Sequence, residues 1–293
     1  MASMRDIKRR KESVQSTGQI TKAMKLVSSV KLQKAKVGAE VSKPYFDAMY
    51  EAVAAMIAQS GEMSHPFLQK SRSDKKAVIL ITSNRGLAGG YNSNAVKLLT
   101  KDERFTTENT VVYAVGTKGR DSVEREGYTI AGDYSEAINE PLYADASEIG
   151  KEVLSKFTMG EIGEIYLIYT IFKNTMVQIP TMMKLLPINA SDITADAEDV
   201  EENPIDRITL MNYEPAPEEA LNAIIPKYVN SLIFGGLVES HASENGARMQ
   251  AMDSATSNAE EMISDLSLKY NRARQASITQ ELTEIIAGAS AIS

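Results

Sequence analysis

The segment Ser83-Asn84-Arg85-Gly86-Leu87-Ala88-Gly89-Gly90 has residue types and spacing that could touch a ligand. It follows a short apolar run, Lys76 to Thr82, and precedes a stretch of helical spacing around Asn92–Leu99. Backbone amides at such a strand-to-helix turn can cradle phosphate. No Lys-Ser or Lys-Thr follows the glycines, as a P-loop requires, and the spacing is not G-x-G-x-x-G. The plainer reading is a tight turn in which glycine supplies backbone freedom.

Other chemistry is bounded by composition. There is no Cys, so disulfides, thiolate metal sites and a Cys nucleophile are excluded. His65 and His241 are the only histidines, too few for a multi-His metal site. Carboxylates pair at Glu201-Glu202 and Glu260-Glu261, but on a polar linker and an exposed helix face. General acid–base work needs a pocket that perturbs a pKa, and neither place supplies one. Met182-Met183 reads as strand packing. No catalytic, cofactor or metal residues are therefore assigned. Gln275, Thr279 and Glu281 are a different matter: the first two share a helix face and Glu281 is offset. They read either as a solvent-facing edge or as a polar catch against a partner loop.

Charge is uneven along the 293 residues, whose formal net charge is −7. Residues 1–43 carry eleven bases and three acids, leaving a strong acidic excess to the rest. That asymmetry suggests an acidic partner, either nucleic acid or an acidic protein loop, against the bland alternative of a solvated helix face. The basic start leads into no apolar core, so no secretory signal is expected. No uninterrupted apolar run approaches the roughly 20 residues of a membrane helix, so no span is expected either.

Four segments must position these residues. Residues 1–60 read as one long helix, with apolar or small residues at Ile7, Val14, Thr21, Met24, Val27, Val30, Val41, Tyr45, Ala48, Ala52 and Met56. Pro44 marks a break or kink there. About fifty residues would reach on the order of 80 Å. Residues 75–190 alternate strands (76–82, 111–115, 165–171, 177–186) with helices near 92–99, 121–126 and 146–156. That alternation argues a Rossmann-like α/β domain with a parallel or mixed sheet. Residues 191–216 are an acidic linker. Residues 217–293 are helical again, stepping through Leu221, Ile225, Tyr228 and Leu232, then Met252, Ala255, Ala259, Met262, Leu266, Tyr270, Ala273 and Ala276. Gly235-Gly236 and Gly246 interrupt the pattern.

The expected architecture is α/β with long helices: an antiparallel coiled coil of the N- and C-terminal helices, with the α/β domain inserted between them. A pair of that length cannot bury its outer faces alone, so extensive contact with partner proteins is expected.

Three motifs in the right order now carry a resemblance. Gln19-Ile20-Thr21-Lys22-Ala23-Met24-Lys25-Leu26-Val27 resembles the gamma subunit of F-type ATP synthases, as does Ala247-Arg248-Met249-Gln250-Ala251-Met252-Asp253-Ser254-Ala255-Thr256-Ser257-Asn258-Ala259. Ile278 through Ala289 resembles that family's C-terminal signature, and Ser83–Gly89 resembles its S-D-R-G-L-C-G turn. Asn84 stands where the family's turn has Asp and Ala88 where it has Cys. The thiol-switch insertion of chloroplast forms has no counterpart, and no transit peptide precedes the first motif, so a bacterial form is expected.

The resemblance implies a non-catalytic central-stalk rotor that couples proton flow through a membrane ring to ATP synthesis or hydrolysis in the catalytic head. It implies three alpha and three beta subunits around the paired helices, with the epsilon subunit and the c-ring at the foot. By motif position it implies Met24, Arg248, Gln275, Thr279 and Glu281 as contacts with beta, and Tyr213 and Glu214 as contacts near the ring. Ile285 and its neighbours would sit in an apolar sleeve. It implies no cofactor, no nucleic acid, membrane contact only through partners, and a peripheral place on the cytoplasmic face of the bacterial cell membrane. Two rivals stand beside it: an α/β nucleotide-binding protein with helical arms, resting on the 83–90 turn, and a basic coiled-coil nucleic-acid adaptor. The net negative charge and the lack of an aromatic platform weaken the second.

Overall fold

The computed structural model describes residues 4–60, 65–69, 73–188 and 217–292. The chain divides into two compact units, Met1–Ser29 with Arg248–Ser293, and Val30–Ala247. The elements in order are helix α1 (Met4–Ser60), β1 (Lys76–Ile81), α2 (Tyr91–Thr100), β2 (Thr110–Val115), α3 (Thr117–Arg125), β3 (Thr129–Asp133), a 3-10 turn (Ser135–Ile138), α4 (Tyr143–Thr158), β4 (Glu164–Phe172), β5 (Gln178–Leu186) and α5 (Pro217–Ile292).

The larger unit is built on a five-stranded sheet in the order β3-β2-β1-β4-β5. Strands β1 to β4 run parallel, and β5 pairs antiparallel with β4. β1 is central and buried on both faces, which is why its sequence is an unbroken apolar run. Alternate residues feed two cores. Val78, Leu80, Val112, Tyr166 and Ile168 pack with Ala95 and Leu99 of α2 and Val123 of α3. Ile79, Ile81, Tyr113, Ile165 and Leu167 pack on the other face with α4, with Ile225, Val229 and Ile233 of α5, and with Val53 and Met56 of α1.

Strand β3 has no counterpart in the sequence reading. It is an edge strand of five residues with exposed ends, and its ladder with β2 shifts between Val112 and Tyr113. Only Ile130 is a large apolar residue there, so the period-2 signal is missing. Gly132 belongs to this bulge: a Cβ would meet the Tyr113 and Tyr134 rings at 2.9 Å each.

The interruptions expected from Pro and Gly are not breaks. Pro44 lies inside α1 and Pro226 inside α5. The glycines of α5 allow close packing instead. A Cβ on Gly236 would stand 3.0 Å from Leu167, and one on Gly246 3.0 Å from Phe172. On α4, a Cβ at Gly150 would meet the Asn230 amide oxygen of α5.

An 18-residue window within Ala220–Ser290 reaches a mean hydropathy of 1.2 with 44% of it buried, so α5 does pass a length-and-composition test for a span. Uninterrupted runs missed it because Ser, Gly and Asn are interleaved. In the larger unit its apolar residues Leu221, Ile225, Val229, Ile233 and Leu237 are buried in the sheet core.

In the smaller unit, α1 and α5 pair antiparallel. Gly18 lies against Ala259, Thr21 bonds Thr256, and Lys25 pairs with Asp253. As the residue number rises on α1, its partner's number falls on α5. The less exposed positions of α1 are Met4, Ile7, Lys11, Val14, Gly18, Thr21, Lys25 and Ser28, steps of three and four that mark a heptad seam. Most of the expected stripe lies on this seam: Ile7, Val14, Thr21 and Met24 of α1, and Met252, Ala255, Ala259, Leu266, Tyr270 and Ala273 of α5, are half-buried or buried. Val27, at 58% exposure, and Met262, at 46%, face outward, whereas small and polar Gly18, Thr21 and Ser28 face inward. In the larger unit Val30 and Val41 are likewise exposed. Small seam residues let the backbones approach, and size rather than hydropathy decides which side turns in.

Candidate functional site

The turn at 83–90 is wired into the sheet rather than open to a ligand. Ser83 donates its backbone N–H to Asn92 Oδ1 at 2.9 Å and its hydroxyl to the Arg85 carbonyl at 2.7 Å. Asn84 Oδ1 accepts the Thr117 N–H at the start of α3 at 3.0 Å, while its Nδ2 donates to the Ser135 carbonyl at 2.7 Å and to Asn139 Oδ1 at 3.2 Å. Both ends of that amide are used, which a carboxylate could not do. Ala88 is buried against Tyr91 and Ala247. Gly116, at φ +102°, has the Thr82 carbonyl oxygen where a Cβ would be.

In open α/β sheets ligands sit outside the carboxyl ends of the strands, where the strand order reverses. Here that point lies between β1 and β4, and α5 fills it. The β1–β4 ladder ends at the pair Leu80–Ile168. Thr170, just past it, donates its N–H to Ser240 Oγ at 3.1 Å and accepts from Ser243 Oγ at 2.9 Å. Tyr91 donates its hydroxyl to the Ser240 carbonyl at 3.2 Å. Ser240 and Ser243 are fully buried. A helix has taken the polar groups that a nucleotide would need, which removes the support for the nucleotide-binding rival. The sequence carried no signal for this, because two serines in a helix read as neutral filler.

Both histidines are also committed to the scaffold. His65 is buried and accepts the Phe67 N–H at Nδ1, leaving Nε2 facing Asn222 Oδ1 at 3.1 Å. His241 Nδ1 lies 2.8 Å from the Ile138 carbonyl. Among the described residues no group of three or more His, Cys, Asp or Glu could hold a metal ion.

The residues singled out on the long helices fall into two groups within the smaller unit. The antiparallel register sets Met24 level with Asp253, so Met24 and Arg248 lie within about 8 Å along the helix axis. Met24 is half-buried and Arg248 is buried, with 8% exposed. Gln275, Thr279 and Glu281 stand roughly 40 Å further along α5. All three are exposed. Thr279 donates to the Gln275 carbonyl at 2.9 Å, and Ser277 donates to Glu281 Oε1 at 3.3 Å. Continuing the register brings Met4 level with Ala273, so α5 beyond that point has no α1 residue opposite it among those described. Its apolar residues Ile278, Leu282, Ile285 and Ile286 are 49%, 54%, 67% and 64% exposed. Tyr213 and Glu214 lie outside the described residues, as does the acidic linker.

Much of the basic segment is exposed on the helix surface. Arg9, Arg10, Lys22 and Lys31 are exposed, and the ion pairs Lys8–Glu12, Lys25–Asp253 and Lys34–Glu140 are exposed ones of small energetic weight.

A helix end with no α1 residue opposite it among those described, and a sheet whose crevice α5 closes, are compatible with more than one role. Comparison with known proteins decides which. The family described as ATP synthase matches residues 3–292. The ATP synthase gamma chain of Lachnoclostridium phytofermentans is 67% identical over 292 residues, covering 100% of both chains. The chain belongs to the ATP synthase gamma-chain family. A gamma chain is the central-stalk subunit of the F-type ATP synthase, a membrane-associated complex, and is not itself catalytic. A second gamma chain, named sodium ion specific, from Acetobacterium woodii, is 44% identical and covers 99% of each. The gamma-chain fold recurs in two solved structures of the Euglena gracilis mitochondrial ATP synthase. One, in rotational state 3, has a TM-score of 0.67 at 20% identity, covering 99% of this chain and 94% of that one. The other, a rotor in rotational state 1, has a TM-score of 0.65 at 18% identity, covering 94% and 98%.

Proposed function

We propose that the chain is the turning shaft that couples ion flow through a membrane ring to ATP synthesis or hydrolysis in a head of three alpha and three beta subunits. The head surrounds the α1–α5 pair, and the epsilon subunit and c-ring contact the foot. Because the shaft is asymmetric, each beta subunit meets a different surface at a given angle. Each contact that favours one beta conformation shifts its nucleotide affinity, which is coupling in the thermodynamic sense.

The observation that carries this reading is the run of α5 beyond Ala273, helical and exposed, with Ile278, Leu282, Ile285 and Ile286 on its surface. A lone helix with apolar residues in water calls for a surrounding protein. Within the head, Met24 and Arg248 form a lower contact level with beta, and Gln275, Thr279 and Glu281 an upper one. Tyr213 and Glu214 contact the ring. The assembly sits on the cytoplasmic face of the cell membrane, and this chain touches the membrane only through its partners. One relative is named sodium ion specific. In this family the ring selects the ion, so this chain's part is torque transmission whichever ion drives the ring, with the proton as the ion assigned here.

The test is reconstitution with the cognate alpha and beta subunits. The expected complex contains one copy of this chain per three alpha–beta pairs, and ATP turns a bead fixed to the sheet domain. Failure to assemble, or ATP hydrolysis by the isolated chain, would overturn the reading.

A further inference from the structure

A cavity of about 440 Å³ lies inside the larger unit. Ligand sites typically span about 300–1,000 Å³, so a small molecule fits. Its walls are Phe46 and Met49 of α1, Leu167 and Tyr169 of β4, and Leu232 of α5. The hollow persists because Gly235 contributes no side chain. A Cβ there would have only the Phe46 ring within 4 Å, at 3.9 Å.

The charged groups among its described lining residues are of one sign. Glu239 and Glu40 line the cavity, and no basic residue is among the side chains described as lining it. Glu239 Oε2 is buried without a hydrogen-bond partner among the described residues. Burial pushes its carboxyl above the usual range, opposed only by a hydrogen bond from the Phe172 backbone. A buried carboxylate oxygen without a partner is costly, and a bound cation would relieve that cost. Phe46 and Tyr169 also line it, and aromatic side chains suit a cation as well as an apolar body.

We propose that this cavity is a binding site for a small organic ammonium ion with an apolar body, its charge against Glu239 and its body between α1, β4 and α5. The class follows from the lining: an anion meets two carboxylates, and a neutral apolar molecule leaves Glu239 as it was.

The test uses the full chain and three probes of one shape: phenylbutylamine, phenylbutanol and phenylbutyrate, followed by isothermal titration and ligand-observed NMR. The amine is expected to bind saturably, at least about tenfold more tightly than the alcohol, a charge-assisted bond being the difference. The carboxylate is expected not to bind. Glu239→Gln should bring the amine down to the alcohol's affinity, and Gly235→Leu should abolish binding of both by filling the hollow. Circular dichroism of each variant reports whether it is folded, and the three-probe comparison on the unaltered chain stands without either variant. Absence of saturable amine binding, equal affinity for amine and alcohol, or unchanged amine affinity in folded Glu239→Gln would overturn the proposal.

Discussion

Thr21 and Thr256 are 235 residues apart in sequence, yet their hydroxyl oxygens lie 2.8 Å apart across the α1–α5 seam. Each also has a local carbonyl in reach, Gly18 for Thr21 and Met252 for Thr256; a hydroxyl carries one hydrogen, so one threonine donates locally while the other donates across the seam. One polar pair at a seam of small residues fixes the register of two helices that many apolar registers would satisfy nearly as well.

The pair is therefore expected to matter more for register than for stability. Thr21→Val with Thr256→Val should cost less than about 1 kcal/mol, since removing both partners leaves no orphan. Gly18→Leu should cost more, because Ala259 Cβ stands 3.3 Å from where the first added carbon would be. Urea unfolding of the variants orders the two effects. A disulfide trapped between cysteines placed at positions 18 and 259 reports the register, and Thr21→Val with Thr256→Val should lower its yield.

The serines that close the sheet end make a second test. Ser240→Ala with Ser243→Ala leaves the Thr170 N–H and carbonyl buried without their partners. A loss of about 2–6 kcal/mol is expected, from about 1–3 per orphaned group. Thermal unfolding checks it. Hydrogen exchange at Thr170 should accelerate before that of β1.

Gly116 allows a sharper one. Its φ of +102° and the Thr82 carbonyl packed against it exclude a Cβ. Gly116→Ala should destabilise the sheet unit by about 2 kcal/mol or more. Gly38→Ala, which meets nothing within 4 Å in a helix, should stabilise by about 0.5–1 kcal/mol. The same melting assay reads both.

Glu239 gives a pH dependence of definite sign. Burial raises its carboxyl above the ordinary 4.5. The folded state then keeps the proton to higher pH than the unfolded state does. This favourable contribution is present below 4.5 and is lost as pH rises through the raised value. Glu239→Gln should therefore gain stability relative to the unaltered chain as pH rises from about 4 to 7. Chemical denaturation at both pH values measures it.

The upper contact residues predict a functional loss without a structural one. Replacing Gln275, Thr279 and Glu281 together with Ala removes exposed side chains whose bonds are local to α5. Melting should be unchanged, and ATP-driven ion pumping by the reconstituted complex should fall. Unchanged pumping would count against the assignment of these residues to beta.

Much of this was legible in the residues. The apolar runs of β1, β2, β4 and β5 are strands because each is buried on at least one face, and burial writes itself into composition. The helical spacing of both termini announced α1 and α5. The motifs from Gln19, Ala247 and Ile278 announced the family.

Other features were decided only when the chain folded. Gly18 and Ser28 joined the expected Ile7, Val14 and Thr21 on the seam while Val27 turned out, because close backbone approach also admits small side chains that hydropathy does not mark. Edge strand β3 formed on a ladder offered by β2, with little apolar signal of its own. The sheet's crevice was closed by Ser240 and Ser243, seventy residues beyond Thr170, and no local pattern marks a hydroxyl that will satisfy a distant strand end. Periodicity records which face of an element is buried; what lies against that face is a long-range fact, settled by packing.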